Sequence, residues 1–335
     1  MTESTAPTGA SAPTAVQATV PATVGVLGGG RMGAGIAHAF LIKGSDVVVV
    51  ERDEAAAEAA QERVESSTAK SLERGVLDGN LDAILERFTV SVDRKAFADR
   101  ELVVEAVPED WNLKVESLRA VERHLKDGAV LASNTSSLSV TGLAEQLQRP
   151  ERFLGLHFFN PVPASTLVEV VIGKQTAPEL VDAARSWTAG LGKTAVVVND
   201  APGFASSRLG VAIALEAMRM VEEGVATAED IDNAMVLGYK HPTGPLRTTD
   251  IVGLDVRLGI AEYLASTLGE RFAPPAILRE KVARGELGRK TGKGFFSYDS
   301  TRPPVLGVDQ QAVLSGLEAR TSSAPDAQTE EGAPA

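Results

Sequence analysis

The sequence predicts an α/β fold, with an N-terminal doubly wound, Rossmann-type sheet followed by an all-α domain. Three observations predict it. A glycine-rich turn, Gly28-Gly29-Gly30-Arg31-Met32-Gly33, lies between an apolar strand and a helix. Strand candidates then alternate with helical stretches as far as about residue 200. Beyond Asn199-Asp200-Ala201-Pro202-Gly203 only helical patterning remains.

Val24 to Leu27 reads as a short buried strand running into Gly28, and Met32 to Lys43 as a helix closed by Gly44. Asp46 to Glu51 holds a run of valines, which suits a parallel strand covered on both faces. Strand, glycine turn, helix and strand within about 30 residues make a βαβ unit. Helical regions follow at Glu54–Arg74 and Leu81–Arg87. Further strands are expected at Thr89–Val92, Leu102–Ala106, Ala129–Ser133, Phe153–Phe158, Leu167–Val171 and Ala195–Val198. Helices such as Lys114–Leu125 and Glu179–Leu191 separate several of them, which places helices on both faces of one sheet. In the second domain, Ala205 to Glu223 has a broad apolar face and stops at Gly224. Thr227-Ala228-Glu229-Asp230 is a capping signature for a helix through Leu237, and another helix is expected over Val252–Leu268. The expected organisation is a disordered tail at 1–22, a dinucleotide-binding domain at 23–200, a helical domain at 201–299 and a mostly disordered tail at 300–335. Within the last, Gln310–Ala319 could form one weak helix.

At 335 residues the chain can build two cores. Its aromatic content is only 4%, so those cores rest on Ala, Val, Leu and Ile. The lack of cysteine excludes disulfides and thiolate metal sites, and fits a reducing compartment, so the expected location is cytoplasmic. No metal is assigned. A net charge of −12 argues against a nucleic-acid partner, and any anionic ligand needs local Arg, Lys or helix N-termini. No apolar run reaches the roughly 20 residues of a membrane span, so no membrane partner is expected.

Gly28, Gly30 and Gly33 form Gly-x-Gly-x-x-Gly. The first allows the tight turn, the second lets backbone approach a pyrophosphate, and the third lets helix pack on strand. The pattern alone is weak, but here it follows a strand, opens a helix and has Glu51 at the end of the next strand. Glu51 can accept hydrogen bonds from an adenosine ribose and repels a 2′-phosphate, which favours NAD over NADP. Arg52 beside it pulls the other way, because a guanidinium can hold a phosphate.

The four histidines can be sorted by elimination. His38 falls within the helix after the glycine loop and reads as a helix-face residue. His124 lies on a polar helix, and His241 precedes Pro242 in a loop. His157, in Gly155-Leu156-His157-Phe158-Phe159-Asn160-Pro161-Val162-Pro163, sits near the C-terminal end of a sheet strand, where open α/β sheets bind ligands. A lone histidine in an apolar strand is commonly structural, yet three neighbours favour chemistry. Glu169 could hold Nδ1 and raise the basicity of Nε2. It could equally be a surface carboxylate beside Lys174. Asn160 offers an amide, and Asn134-Thr135-Ser136-Ser137 offers hydroxyls at the same sheet edge.

With these residues in view, the chain resembles the 3-hydroxyacyl-CoA dehydrogenase family, in its short-chain, 3-hydroxybutyryl-CoA dehydrogenase form. The resemblance runs from about Ala22 to Tyr298. It rests on the glycine loop, Ser133–Ser137, Gly155–Pro163, Asp200-Ala201-Pro202-Gly203-Phe204, and Gly288-Arg289-Lys290-Thr291-Gly292-Lys293-Gly294-Phe295. It implies an NAD-dependent oxidoreductase with His157 as base and Glu169 as its orienting partner. It further implies Ser136 on the substrate's C3 oxygen and Asn160 at the nicotinamide end. Glu109, Lys114 and Lys290 match family cofactor contacts, beside the glycine loop Gly28 to Gly33 and the Glu51 already read from its place. Ser67 and Arg74 match contacts to CoA less securely, because that helix varies in sequence. There is one departure. The family usually has Asn three residues after the Phe of Pro-Gly-Phe, and here Ser207 stands there. That bears on rate and acyl preference more than on reaction class.

The expected reaction is reversible oxidation of an (S)-3-hydroxyacyl-CoA to the 3-ketoacyl-CoA, and the resemblance implies a homodimer formed through the helical domain. Three alternatives stand beside it. A 3-hydroxyadipyl-CoA substrate could pair its distal carboxylate with Arg247 or Lys240, which could equally be solvated surface charges. A CoA-independent hydroxy-acid dehydrogenase shares the fold, and a non-catalytic NAD-binding protein would retain only the nucleotide site.

Overall fold

The computed structural model describes Ala18 to Tyr298. The expected C-terminal tail with its short helix, and the first 17 residues, lie outside the described residues. The chain divides into two compact units, 1–208 and 209–335.

The first unit is built on a sheet of eight strands: β1 (Thr23–Leu27), β2 (Asp46–Val50), β3 (Phe88–Ser91), β4 (Leu102–Glu105), β5 (Val130–Ser133), β6 (Phe153–Phe158), β7 (Leu167–Ile172) and β8 (Thr194–Asn199). Their spatial order is β3-β2-β1-β4-β5-β6-β7-β8. All neighbours are parallel except β6 and β7, which are antiparallel. A parallel return needs a crossover of a dozen or more residues, and the connection 159–166 is too short for one.

The helices of this unit are α1 (Arg31–Leu41), α2 (Glu54–Glu73), α3 (Leu81–Leu85), α4 (Trp111–Glu122), α5 (Val140–Ala144) and α6 (Pro178–Gly190). Side chains alternate across a strand, so the valine run of β2 feeds both faces: Val47 and Val49 join one apolar cluster, Val48 and Val50 the other. Asp53 and Asp110 start α2 and α4 by accepting the amides of Ala56 and Leu113. His38 is fully buried in α1 rather than on an open face, with Nε2 2.9 Å from Ser71 Oγ. Burial, then the charge of Lys193, pushes its imidazole below the ordinary value. The end of the expected N-terminal tail is part of this unit: Thr19 Oγ1 lies 2.8 Å from Ser186 Oγ.

The second unit is helical, with α7 (Ser206–Glu222), α8 (Ala228–Asn233), α9 (Pro245–Val252), α10 (Leu254–Leu268) and α11 (Ala276–Ala283). The compact units divide at 208, inside the first turn of α7, where Ala205 and Ser206 bond back to Glu169 in the first unit. The helix expected over Val252–Leu268 is α10, starting two residues later, and a further helix, α9, precedes it; Gly253, at φ 105°, ends α9 and starts α10. The helix after Thr227 passes into a π-helical turn over Ala234–Gly238. Among the described residues, no helix is long and apolar enough to cross a membrane.

Candidate active site

The C-terminal ends of β1, β2, β4, β5 and β6 open on one cavity of ≈ 710 Å³, within the range of small-ligand sites. Gly28, Gly30, Arg31, Met32, Glu51, Glu109, Ser136, His157 and Asn160 line it. The sheet edge thus gathers residues from five segments of sequence.

Gly28 turns at φ 89°. A Cβ on Gly33 would stand 1.7 Å from the Gly28 carbonyl oxygen, so only glycine lets α1 start this close to β1. At Gly30 a Cβ would meet nothing within 4 Å, leaving room at the cavity wall. The first-turn amides of a helix have no intrahelical acceptor, and those of α1 begin at this wall. A diphosphate fits such a cradle. Glu51 accepts the Gly29 amide at 2.7 Å and the Arg52 amide at 3.1 Å. Arg52 lines the cavity too, with its guanidinium 3.0 Å from Asp53.

Glu109 organises the loop after β5. Its Oε1 accepts from Thr135 Oγ1 at 2.6 Å and from the amides of Ser136 and Ser137 at 2.9 and 3.0 Å. Ser136 Oγ lies 3.3 Å from the same oxygen. Burial pushes this carboxyl up, but the Lys114 charge and the bonds from Thr135, Ser136 and Ser137 outweigh it and hold it below the ordinary value. Lys114 does not line the cavity. It is almost fully buried behind it, with Nζ 2.7 Å from Glu105, 3.3 Å from Glu109 and donating to the Val107 carbonyl. Glu105 has no exposure and needs this cation; Ser133 Oγ and the Val107 amide complete its shell. Glu105 escaped the sequence reading because its carboxylate ends an otherwise apolar strand.

His157 and Glu169 are opposite residues of the antiparallel β6–β7 pair, hence on one face. Nδ1 of His157 is 2.8 Å from Glu169 Oε2. Glu169 has no exposure, which removes the reading as a surface carboxylate beside Lys174. The imidazole packs against Phe159 and Phe204, with ring centroids at 4.4 and 6.0 Å. Asn134 Oδ1 accepts the Phe158 amide at 2.8 Å and ties the ends of β5 and β6 together. Gly203 and Phe204, at φ 74° and 49°, turn the chain so that the next amides meet Glu169. Its Oε1 accepts from Ala205 N at 3.1 Å and Ser206 N at 2.8 Å, and its Oε2 from Ser206 Oγ at 2.7 Å. Burial pushes this carboxyl up too. The hydrogen bonds from His157 and from the hydroxyl and amide of Ser206 overcome that and leave it lowered.

The sequence reading did not single out Ser206. Ser207 is half-buried in the first turn of α7 and is not among the residues lining the cavity. Ser67 and Arg74 stand on α2 and at its C-cap, Ser67 half-buried and Arg74 exposed, also outside the cavity lining. Lys290 belongs to the second unit, where Nζ pairs with Asp255 at 2.6 Å. Arg247 stacks on Phe296, 4.2 Å from the ring centroid, and its amide donates to Asp232.

The model of the 3-hydroxyacyl-CoA dehydrogenase NAD binding domain matches residues 23–201, and that of the C-terminal domain of the same family matches 203–298. The chain belongs to the 3-hydroxyacyl-CoA dehydrogenase family. As a member it is an NAD-dependent oxidoreductase. The chain is 42% identical to a probable 3-hydroxybutyryl-CoA dehydrogenase of Deinococcus radiodurans over 275 residues, 82% of this chain and 99% of that protein. It is also 42% identical to a 3-hydroxybutyryl-CoA dehydrogenase of Mycobacterium tuberculosis, over 82% of this chain and 98% of that one. Among family crystal structures, the (S)-3-hydroxybutyryl-CoA dehydrogenase of Ralstonia eutropha superposes with a TM-score of 0.80 at 37% identity. That match covers 84% of this chain and 100% of the other.

Proposed function

We propose that this dehydrogenase interconverts (S)-3-hydroxyacyl-CoA and 3-ketoacyl-CoA, of the 3-hydroxybutyryl-CoA type. The observation that carries the proposal is the His157–Glu169 pair beside the cavity that the glycine loop lines.

NAD, when bound, supplies the hydride acceptor, and its reduced form the donor for the reverse direction. Gly28, Gly29, Gly30, Arg31, Met32 and Gly33 would hold its diphosphate, and Glu51 its adenosine ribose. Asn160, Glu109 and Lys290 are the further cofactor residues of this reading, with Lys114 holding Glu109 in place from behind the cavity. With Nδ1 committed to Glu169, Nε2 of His157 is the nitrogen left to take the alcohol proton. As the alcohol's C3–H bond gives up hydride and the C3–O double bond forms, the proton passes to His157. Glu169 then stabilises the imidazolium. In reverse, the imidazolium returns the proton to the developing alkoxide, and Ser136 and Ser207 donate hydrogen bonds to that oxygen. Ser67 and Arg74, two helical turns apart on α2, are the contacts assigned to CoA.

A panel of substrates tests the proposal. NADH oxidation should be fastest with acetoacetyl-CoA, slower with a 3-oxoadipyl thioester, and absent with free 3-oxo acids. Preference for the dicarboxylic thioester would favour the 3-hydroxyadipyl alternative. Turnover of free acids alone would overturn the CoA reading, and NADH binding without turnover would overturn the enzyme reading.

We further propose a homodimer in the cytoplasm. Leu237, Tyr239, Ile251 and Val256 on the helical unit are large apolar residues with 45–75% exposure, a surface that a second copy would cover. Light scattering should give twice the chain mass, and Leu237→Asp should halve it; a monomeric parent protein would refute the dimer.

A further inference from the structure

The Glu169 carboxylate is more heavily hydrogen-bonded than an orienting role demands. Nδ1 of His157 reaches Oε2 at 2.8 Å, and Ser206 Oγ reaches the same oxygen at 2.7 Å. The other oxygen takes the Ala205 and Ser206 amides. Three of the four donors thus come from residues 205–206, at the start of α7. The backbone is bent to deliver them: Phe204, a bulky residue, is held at φ 49°, a conformation such side chains rarely adopt.

We propose that Ser206 is a positioning residue that sets the proton affinity of His157 by sharing the carboxylate oxygen the imidazole uses. Each donor to a carboxylate draws off charge and makes it a poorer acceptor for the next. The hydroxyl of Ser206 therefore limits how strongly Glu169 can stabilise the imidazolium. The two amide bonds survive any side-chain change at 206, so the hydroxyl is the adjustable part of the shell. Both oxygens are also fixed in direction, which keeps the imidazole in one tautomer and one orientation.

The groups facing Glu169 come from every element around it. His157 lies across the β6–β7 ladder, and Ser206 and Ala205 cap it from α7. Val196 is its partner on β8 and carries no charge. Among the described residues, no other charged group is within ion-pair distance of Glu169. His157 is therefore the titrating group whose behaviour should register a change at Ser206.

The proposal rests on the reading of His157 as the acid–base group, and its test separates the two. The imidazole of His157 can be titrated by NMR in the full chain, its signal assigned by loss in His157→Gln. In Ser206→Ala the midpoint should rise by about half a pH unit, and Ser206→Thr, which keeps a hydroxyl, should restore the parent value. The midpoint of kcat/KM against pH should rise equally with acetoacetyl-CoA and NADH. An unmoved NMR midpoint in Ser206→Ala overturns the proposal, as does failure of Ser206→Thr to restore it. A moved NMR midpoint with an unmoved kinetic one upholds the role of Ser206 and refutes His157 as the group that carries the proton.

Discussion

His157→Gln should lower turnover of acetoacetyl-CoA by about 10²–10⁴, the usual worth of a positioned acid–base group. Glutamine retains an amide donor for Glu169 and nearly fills the space between Phe159 and Phe204, so the sheet edge should stay intact. It cannot take a proton at the position of Nε2. Affinity for NADH, read by fluorescence titration, should stay within a few-fold of the parent, because the glycine loop and Glu51 are untouched. Undiminished turnover would be incompatible with His157 as the base. A loss of NADH affinity on the same scale would show that the substitution had damaged the cavity as a whole.

The second large effect concerns stability. Lys114→Met removes the cation from Glu105, a carboxylate with no exposure, and from Glu109. Removing one partner of a buried pair costs about 3–5 kcal/mol, because the remaining charge stays desolvated. The two tryptophans, Trp111 and Trp187, both fall in the first unit, so their fluorescence reports that unit's unfolding during a denaturant titration. The double variant Lys114→Met/Glu105→Gln should recover much of the loss, since it carries no unpaired charge on β4. A single variant as stable as the parent would show that water reaches Glu105. The network also has a functional reading. Glu109, steadied by Lys114, holds the Ser136–Ser137 loop at the cavity wall, so partial unfolding there should raise KM before it lowers kcat.

The first unit was legible because its signals are local. Unbroken valines announce a strand covered on both faces, and glycines at 28, 30 and 33 announce a helix starting against a strand. The reversal of β7 was legible in principle, since the connection 159–166 cannot hold a crossover helix. That reversal is what brings Glu169 opposite His157. The second unit was read less well. A helix break that needs a left-handed backbone at Gly253 leaves little trace in sequence, so α9 before it went unread. α9 and α11 are each eight residues long and carry no side-chain N-cap to announce them. At the site, motifs single out Lys114 and Lys290 but do not reveal that Glu105 and Asp255 pair with their ammonium groups. Ser206 was invisible for a different reason. Its role follows from the positive φ at Gly203 and Phe204, and no pattern of residue types records where an amide points.

The register of β6 on β7 has a consequence for how this site can change. Neighbouring side chains on a strand leave from opposite sides, so sliding β7 by a single residue would aim the carboxylate through the sheet and away from the imidazole. Shifts of two keep it on the proper side but one pleat distant. The dyad therefore has no graded neighbours: the ladder holds it in this register or not at all.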